Sequence, residues 1–237
     1  MMKPLMHIFF AACVCSVLSF GITMLRAQDK ISGSYNIYTK DAIVQTDKYE
    51  VIPGKSYIDE IKGTAKEDTT QRYETKLENN QFLTMTQTAS DLIVTSIKFN
   101  NNVYSFYEKT AMVGALPDEN RSPVFEAASY SHFNYLLGLY DPTKGAKQVF
   151  SVIIPSLQDF INVEIEKHGT DAFKIGEQTV TANHYRFAIG KKRETVNLWV
   201  DNNKVIAVYL ASSNKYIIDA GYPQLYERVK QVINRPM

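Results

Sequence analysis

The chain has 237 residues, with 26 basic and 25 acidic side chains, a formal net charge of +1 and no block of Lys or Arg. That balance argues against nucleic-acid binding, which needs clustered cations to neutralise phosphates, and against electrostatic adhesion to anionic membranes. The length suits one large β-domain, and 15 Tyr with 12 Phe favour strands.

Residues 1–27 read as a signal peptide. Lys3 gives a short basic start, Ile8–Ile22 is almost wholly apolar, and Leu25-Arg26-Ala27 ends in the small residue that a signal peptidase requires. The apolar run is short for a spanning helix, which needs about twenty residues. Two alternatives are a retained anchor and acylation of Cys13 after Phe10-Ala11-Ala12. Cleavage after Ala27 removes Lys3 and Arg26 and leaves one acid in excess. It also removes Cys13 and Cys15, so residues 28–237 hold no cysteine and rely on core burial. They are expected to form a single β-rich domain, exported to the periplasm or secreted.

The predicted strands begin at Gly33–Thr39 and continue through Val44–Ile52, the turn Pro53-Gly54, Ser56–Ala65 and Thr69–Leu77. In the last of these Tyr73, Thr75 and Leu77 face one way and Arg72, Glu74 and Lys76 the other. This period of two marks a sheet with one wet and one buried face. Glu78-Asn79-Asn80 turns into Phe82–Thr88, Ser90-Asp91 breaks before Leu92–Phe99, and Asn100-Asn101-Asn102 leads into Val103–Tyr107. Asn tolerates positive φ, and turns recurring every ten residues or so indicate an antiparallel meander. Leu116–Asn120 reads as a loop.

Helical spacing appears clearly in Ser122–Asp141, where Phe125, Ala128, Ser129, His132, Phe133, Leu136, Leu137 and Tyr140 form one stripe. Ser122 is a candidate N-cap with Pro123 at the first helical position, the alternative start being near Ser129. A second meander follows: Gln148–Ile154, Phe160–Lys167, a turn at His168-Gly169, then Thr179–Ile189. Thr195–Val200 and Lys204–Ala211 form a hairpin closed by Asp201-Asn202-Asn203. Val196, Leu198, Ile206, Val208 and Leu210 are its expected buried positions. Tyr216–Asp219 and a surface helix at Pro223–Asn234 complete the chain.

Catalytic patterns are absent. There is no Gly-x-Ser-x-Gly, His-Glu-x-x-His, P-loop or dinucleotide fingerprint. His132, His168 and His184 have no partner at a metal spacing, so no metal or cofactor is expected. His132 reads as a hydrogen-bonded core histidine, His168 and His184 as surface. Glu164 and Glu166 share a strand face about 7 Å apart, as a glycosidase pair could, but their neighbours suggest a solvated face. Trp199 lies opposite Val196, Leu198 and Val200 and either packs under the terminal helix or lines a cleft.

The fold expected is mostly β (α+β): a large curved antiparallel sheet or incomplete barrel with a central helical insert and a short C-terminal helix. This order, with the signal segment ahead of it, resembles exported bacterial proteins of the lipoprotein-carrier (LolA and LolB) architecture. The Trp199-Val200-Asp201 hairpin is also similar to one in other exported β-rich families. The resemblance implies a curved sheet around helices, with an apolar cavity for acyl chains. The carriers interrupt their sheet with helices at more than one place, whereas here one clear helix does so.

The function expected is noncatalytic binding of a hydrophobic small molecule or lipid, with Phe133, Leu136, Leu137, Tyr140 and Trp199 as candidate ligand-binding residues. The alternative is a structural or accessory module acting through a protein partner. An enzyme ranks third.

Overall fold

Hairpins build this molecule, and the computed structural model describes it over residues 30–65 and 68–234. The expected signal segment and its cleavage site lie outside the described residues. The first meander contains β1 (Ile31–Thr39), β2 (Ala42–Ile52), β3 (Ser56–Gly63), β4 (Gln71–Glu78), β5 (Gln81–Ala89), β6 (Leu92–Asn100), β7 (Val103–Glu108) and β8 (Ala111–Pro117). The second contains β9 (Lys147–Ile154), β10 (Asp159–Ile175), β11 (Gln178–Ile189), β12 (Glu194–Asp201), β13 (Lys204–Leu210) and β14 (Lys215–Asp219). Pairing of β1 with β14 joins them into one antiparallel sheet of 14 strands in the order β8 to β1, then β14 to β9. The sheet is an open half-barrel with β8 and β9 as its edges. Gln158, in the turn after β9, comes up against Gly114 of β8, so the edges approach without pairing.

Five tight turns share one chemistry. Lys40-Asp41, Asn79-Asn80, Ser90-Asp91, Asn101-Asn102 and Asn202-Asn203 all have positive φ at both residues. Two successive positive-φ residues give the turn whose twist matches that of the flanking strands, and Asn and Asp tolerate it best. Register shifts lie close beside four of these turns, at Ile37/Tyr38, Lys76/Leu77, Gln87/Thr88 and Trp199/Val200. Each inserts an extra residue in one strand, which bends it and raises its twist. Repeated bulges of this kind curl the sheet.

The inner face gathers one core from both meanders, including Tyr35, Tyr57, Phe82, Tyr104, Val163, Phe187 and Leu198. α1 (His132–Leu139) lies against it, with Phe133 packed edge-on to Phe187 at 5.8 Å. On the outer face, α2 (Leu225–Ile233) buries Leu225, Tyr226 and Val229 over β10–β14. Its Tyr226 stacks on Tyr38 at 4.3 Å.

Several sequence expectations change here. The helix starts at His132, not at Pro123, because residues 123–125 pair as a strand with the free edge of β9. Phe125 N–H donates to Ile153 O, and Ile153 N–H to Pro123 O, both at 2.9 Å. His168-Gly169 is no turn: β10 runs straight through as a bulged strand, with Gly169 at φ 134. Ala111–Pro117, including the first two residues of the expected loop, is an edge strand. In the β12–β13 hairpin Ile206 is buried as expected but, as the extra residue of the bulge, on the outer face, while Val205 joins Val208 inside. Leu210 is only half-buried.

Leu198 is 0% exposed. Leu198→Ala should therefore cost roughly 2–5 kcal/mol in urea unfolding, as buried truncations do, and Leu210→Ala clearly less. Equal effects would show that the strand faces are misassigned.

Candidate ligand-binding cleft

Three acids sit at positions where the strand alternation predicts apolar side chains. Asp47 shares a face with Tyr49 and Val51, Asp59 with Tyr57 and Ile61, and Asp219 with Ile217; all three are at most 2% exposed. Asp59 faces the start of α1 and accepts from Ser131 N at 2.8 Å, Ser131 Oγ at 2.6 Å, and Ser129 Oγ. The Ser131 hydroxyl thus bonds the sheet and does not cap its own helix. Asp59 supplies that cap instead, with its negative charge at the positive end of the helix.

Asp47 lies diagonally across from Asp59 on neighbouring strands, since Tyr49 pairs with Asp59 and Asp47 with Ile61. Neither Asp47 oxygen has a hydrogen-bond partner among the described residues. Burial, and then the adjacent Asp59, push its carboxyl up to about 9. Burial raises Asp59 too, but the bonds from Ser129 and Ser131 oppose that rise. The proton therefore stays on Asp47 at neutral pH.

His132 is the second fastening. Its Nδ1 accepts from Glu126 N at 2.9 Å, which leaves Nε2 to donate to Thr75 Oγ1 at 2.7 Å. Full burial holds this imidazole down at about 3, so it stays neutral. Asp219 performs a similar task at the β1–β14 junction, taking Lys204 Nζ at 2.7 Å and Tyr49 OH at 3.3 Å.

With its first turn fastened in this way, α1 extends over the sheet and leaves a cleft of about 910 Å³ beneath its second half. Val51, Tyr57, Leu77 and Val200 form the floor, and Leu137, Gly138, Leu139 and Tyr140 line the helix side. The turns at Pro53-Gly54, Asn80 and Asn202-Asn203 rim the mouth at one end of the sheet. The volume falls within the range of small-molecule sites.

The five candidate residues part company here. Leu137 and Tyr140 line the cleft. Phe133 and Leu136 are 0% exposed and belong to the core behind it. Trp199 lies on the opposite face, in the outer cluster with Leu225, Tyr226 and Val229. There Trp199 Nε1 donates to Asp171 at 2.8 Å, and His184 stacks on the indole at 4.7 Å. His184 is thus no surface residue: it bonds Asn197, lies 3.2 Å from Asp171, and burial lowers its basicity. Glu164 holds Lys147 and Arg193 at 2.7 and 2.9 Å, an ion-pair network that draws its carboxyl down. No group of three metal-ligating side chains occurs among the described residues. No protein-family model, curated protein or solved structure matches the chain.

The two buried groups have opposite pH signatures. Asp47 keeps its proton when folded, so unfolding releases a proton between about pH 4 and pH 9, and stability falls across that window. His132 stays neutral when folded, so stability falls as pH drops below about 6.5. The slopes, each up to about 1.4 kcal/mol per pH unit, oppose each other between about pH 4 and 6.5, and above 6.5 that of His132 is gone while that of Asp47 remains. Asp47→Asn should remove the loss between pH 7 and 9 in urea-unfolding midpoints. A variant with the wild-type slope would refute the assignment of the proton.

Proposed function

We propose that this is an exported, noncatalytic protein that holds a hydrophobic or acyl-bearing small molecule between α1 and the inner face of its half-barrel. The observation that carries this reading is the cleft itself, mostly apolar where Ile31, Val51, Leu77, Leu137, Leu139 and Val200 meet. Export rests on the basic start, apolar run and small residue of the first 27 positions. The resemblance to lipoprotein carriers points the same way, since their ligands also enter between a curved sheet and its helices. Two polar groups at the cleft serve structural bonds: Tyr140 OH donates to the Gly145 and Ala146 carbonyls, and Asn134 Oδ1 accepts from Val205 N.

A second reading, action through a protein partner, has one observation in its favour. Edge strand β8 carries no charged residue, and its Met112 and Val113 are 59% and 44% exposed. An uncharged edge strand is a template for pairing with another chain.

Uptake of a neutral fluorescent apolar probe, N-phenyl-naphthylamine, tests the carrier reading. The wild type should bind it saturably. Leu136→Ala should lower thermal stability by the equivalent of a few kcal/mol and leave uptake by the folded fraction nearly intact. Leu137→Ala should do the reverse, with a smaller loss of stability and a clear change in affinity. A wild type that takes up no probe would leave the partner reading in its place.

A further inference from the structure

The cleft lining contains no Asp, Glu, Lys, Arg or His among the described residues. Its polar side chains are four amides, Asn80, Asn134, Asn202 and Asn203, and four tyrosine phenols. Three of the cations around the mouth are engaged elsewhere, and Lys55, exposed beside the Pro53-Gly54 turn, stands outside the lining. Lys204 is bound to Asp219 at 2.7 Å, Lys30 to Glu50 at 2.7 Å, and Lys144 lies 3.7 Å from Asp141. A carboxylate or phosphate drawn into this space would lose hydration and find no countercharge in the lining itself. An amide side chain both donates and accepts, so the same lining satisfies a hydroxyl, ester, amide or glycosyl group without penalty.

Gly138 adds a second observation. It lies within α1, where glycine is less favourable than alanine, and its φ is not in the positive range that would demand it. A Cβ built there meets nothing within 4 Å. Neither backbone conformation nor a close neighbour accounts for the glycine. Its effect is to leave the helix side of the cleft open.

Resting on the carrier reading above, we infer that the cleft selects uncharged amphiphiles: an apolar chain carrying a neutral hydrogen-bonding head, in preference to a free fatty acid or an anionic lipid. The chain lies along Val51, Leu77 and Leu137, and the head meets the asparagines at the mouth.

Displacement of bound N-phenyl-naphthylamine at pH 7.5, below micelle concentrations, compares three ligands with one tail: monolauroylglycerol, laurate and dodecyltrimethylammonium. Monolauroylglycerol should displace the probe at a concentration at least about tenfold below either ion, a difference of about 1.4 kcal/mol. Gly138→Lys places an ammonium in the open space beside the helix and should narrow or reverse the ratio for laurate while leaving dodecyltrimethylammonium the weakest. Equal or tighter displacement by laurate in the wild type overturns the selectivity but leaves the carrier reading standing. If Lys55→Gln then abolishes that tight laurate binding, the head sits on the Lys55 ammonium outside the lining, and the inference is equally overturned. A wild type from which no ligand displaces the probe overturns the carrier reading and the inference together.

Discussion

Everything in this fold depends on the pairing of its first strand with its last. Tyr35–Tyr38 of β1 run against Tyr216–Asp219 of β14, and only this ladder turns two separate meanders into one sheet. The side chains around it reinforce the join. Tyr35 OH donates to Val205 O at 3.0 Å, the Tyr35 and Tyr49 rings stack at 4.5 Å, and Asp219 collects Lys204 and Tyr49 from opposite sides of the join. On the outer face α2 bridges the same junction, with Tyr226 stacked on Tyr38 of β1 and set edge-on to Tyr216 of β14. The half-barrel therefore has its strongest cross-linking in the middle and its free edges at the sides.

The insert is held by a different kind of force. Its apolar residues would be satisfied by many orientations over a curved sheet, because apolar burial is non-directional. Asp59 and His132 remove that freedom: hydrogen bonds to Ser129, Ser131, Thr75 and Glu126 work only at one position and one helix orientation. The cost is a protonated Asp47 with no bonding partner, close to a second carboxyl. Polar groups used in this way lend uniqueness more than stability. Fixing one end of an eight-residue helix leaves the other end spanning a gap, and that gap is the cleft.

Much of this was legible in the sequence, for reasons that particular residues make plain. Asn-Asn and Ser-Asp doublets between alternating strands encode positive-φ hairpins, and inward runs such as Tyr73-x-Thr75-x-Leu77 fix the buried face. Strand β8 escaped notice because Ala111–Pro117 barely alternates; an edge strand with only its end against the core needs no alternation. The second half of β10 was hidden by Gly169, which permits a bulge as readily as a turn. Nothing local distinguished Phe133 and Leu136 from Leu137 and Tyr140, since all four share a helical stripe and only the depth of the sheet beneath them separates core from cleft. The clasp did leave a trace: Asp47 and Asp59 interrupt the apolar phase of their strands, and an acid in that phase needs a partner across the core.

The β1–β14 ladder also bears on how the chain comes together. Its partners come from opposite ends of the described chain, Tyr35 pairing with Asp219, so the entropy of closing the loop is lost before the contact returns any energy. During synthesis β1 emerges among the first strands and waits beside β2 with one side bare until nearly all the rest has been made. Throughout that interval the first meander has two raw edges, β1 as well as β8, and until α1 emerges its core-facing surface has no helix to cover it. An intermediate of that form invites pairing with neighbouring chains. The twist imposed by the bulge at Tyr38 and the charged turn Lys40-Asp41 at its end are then protections of the nascent chain as much as features of the finished one.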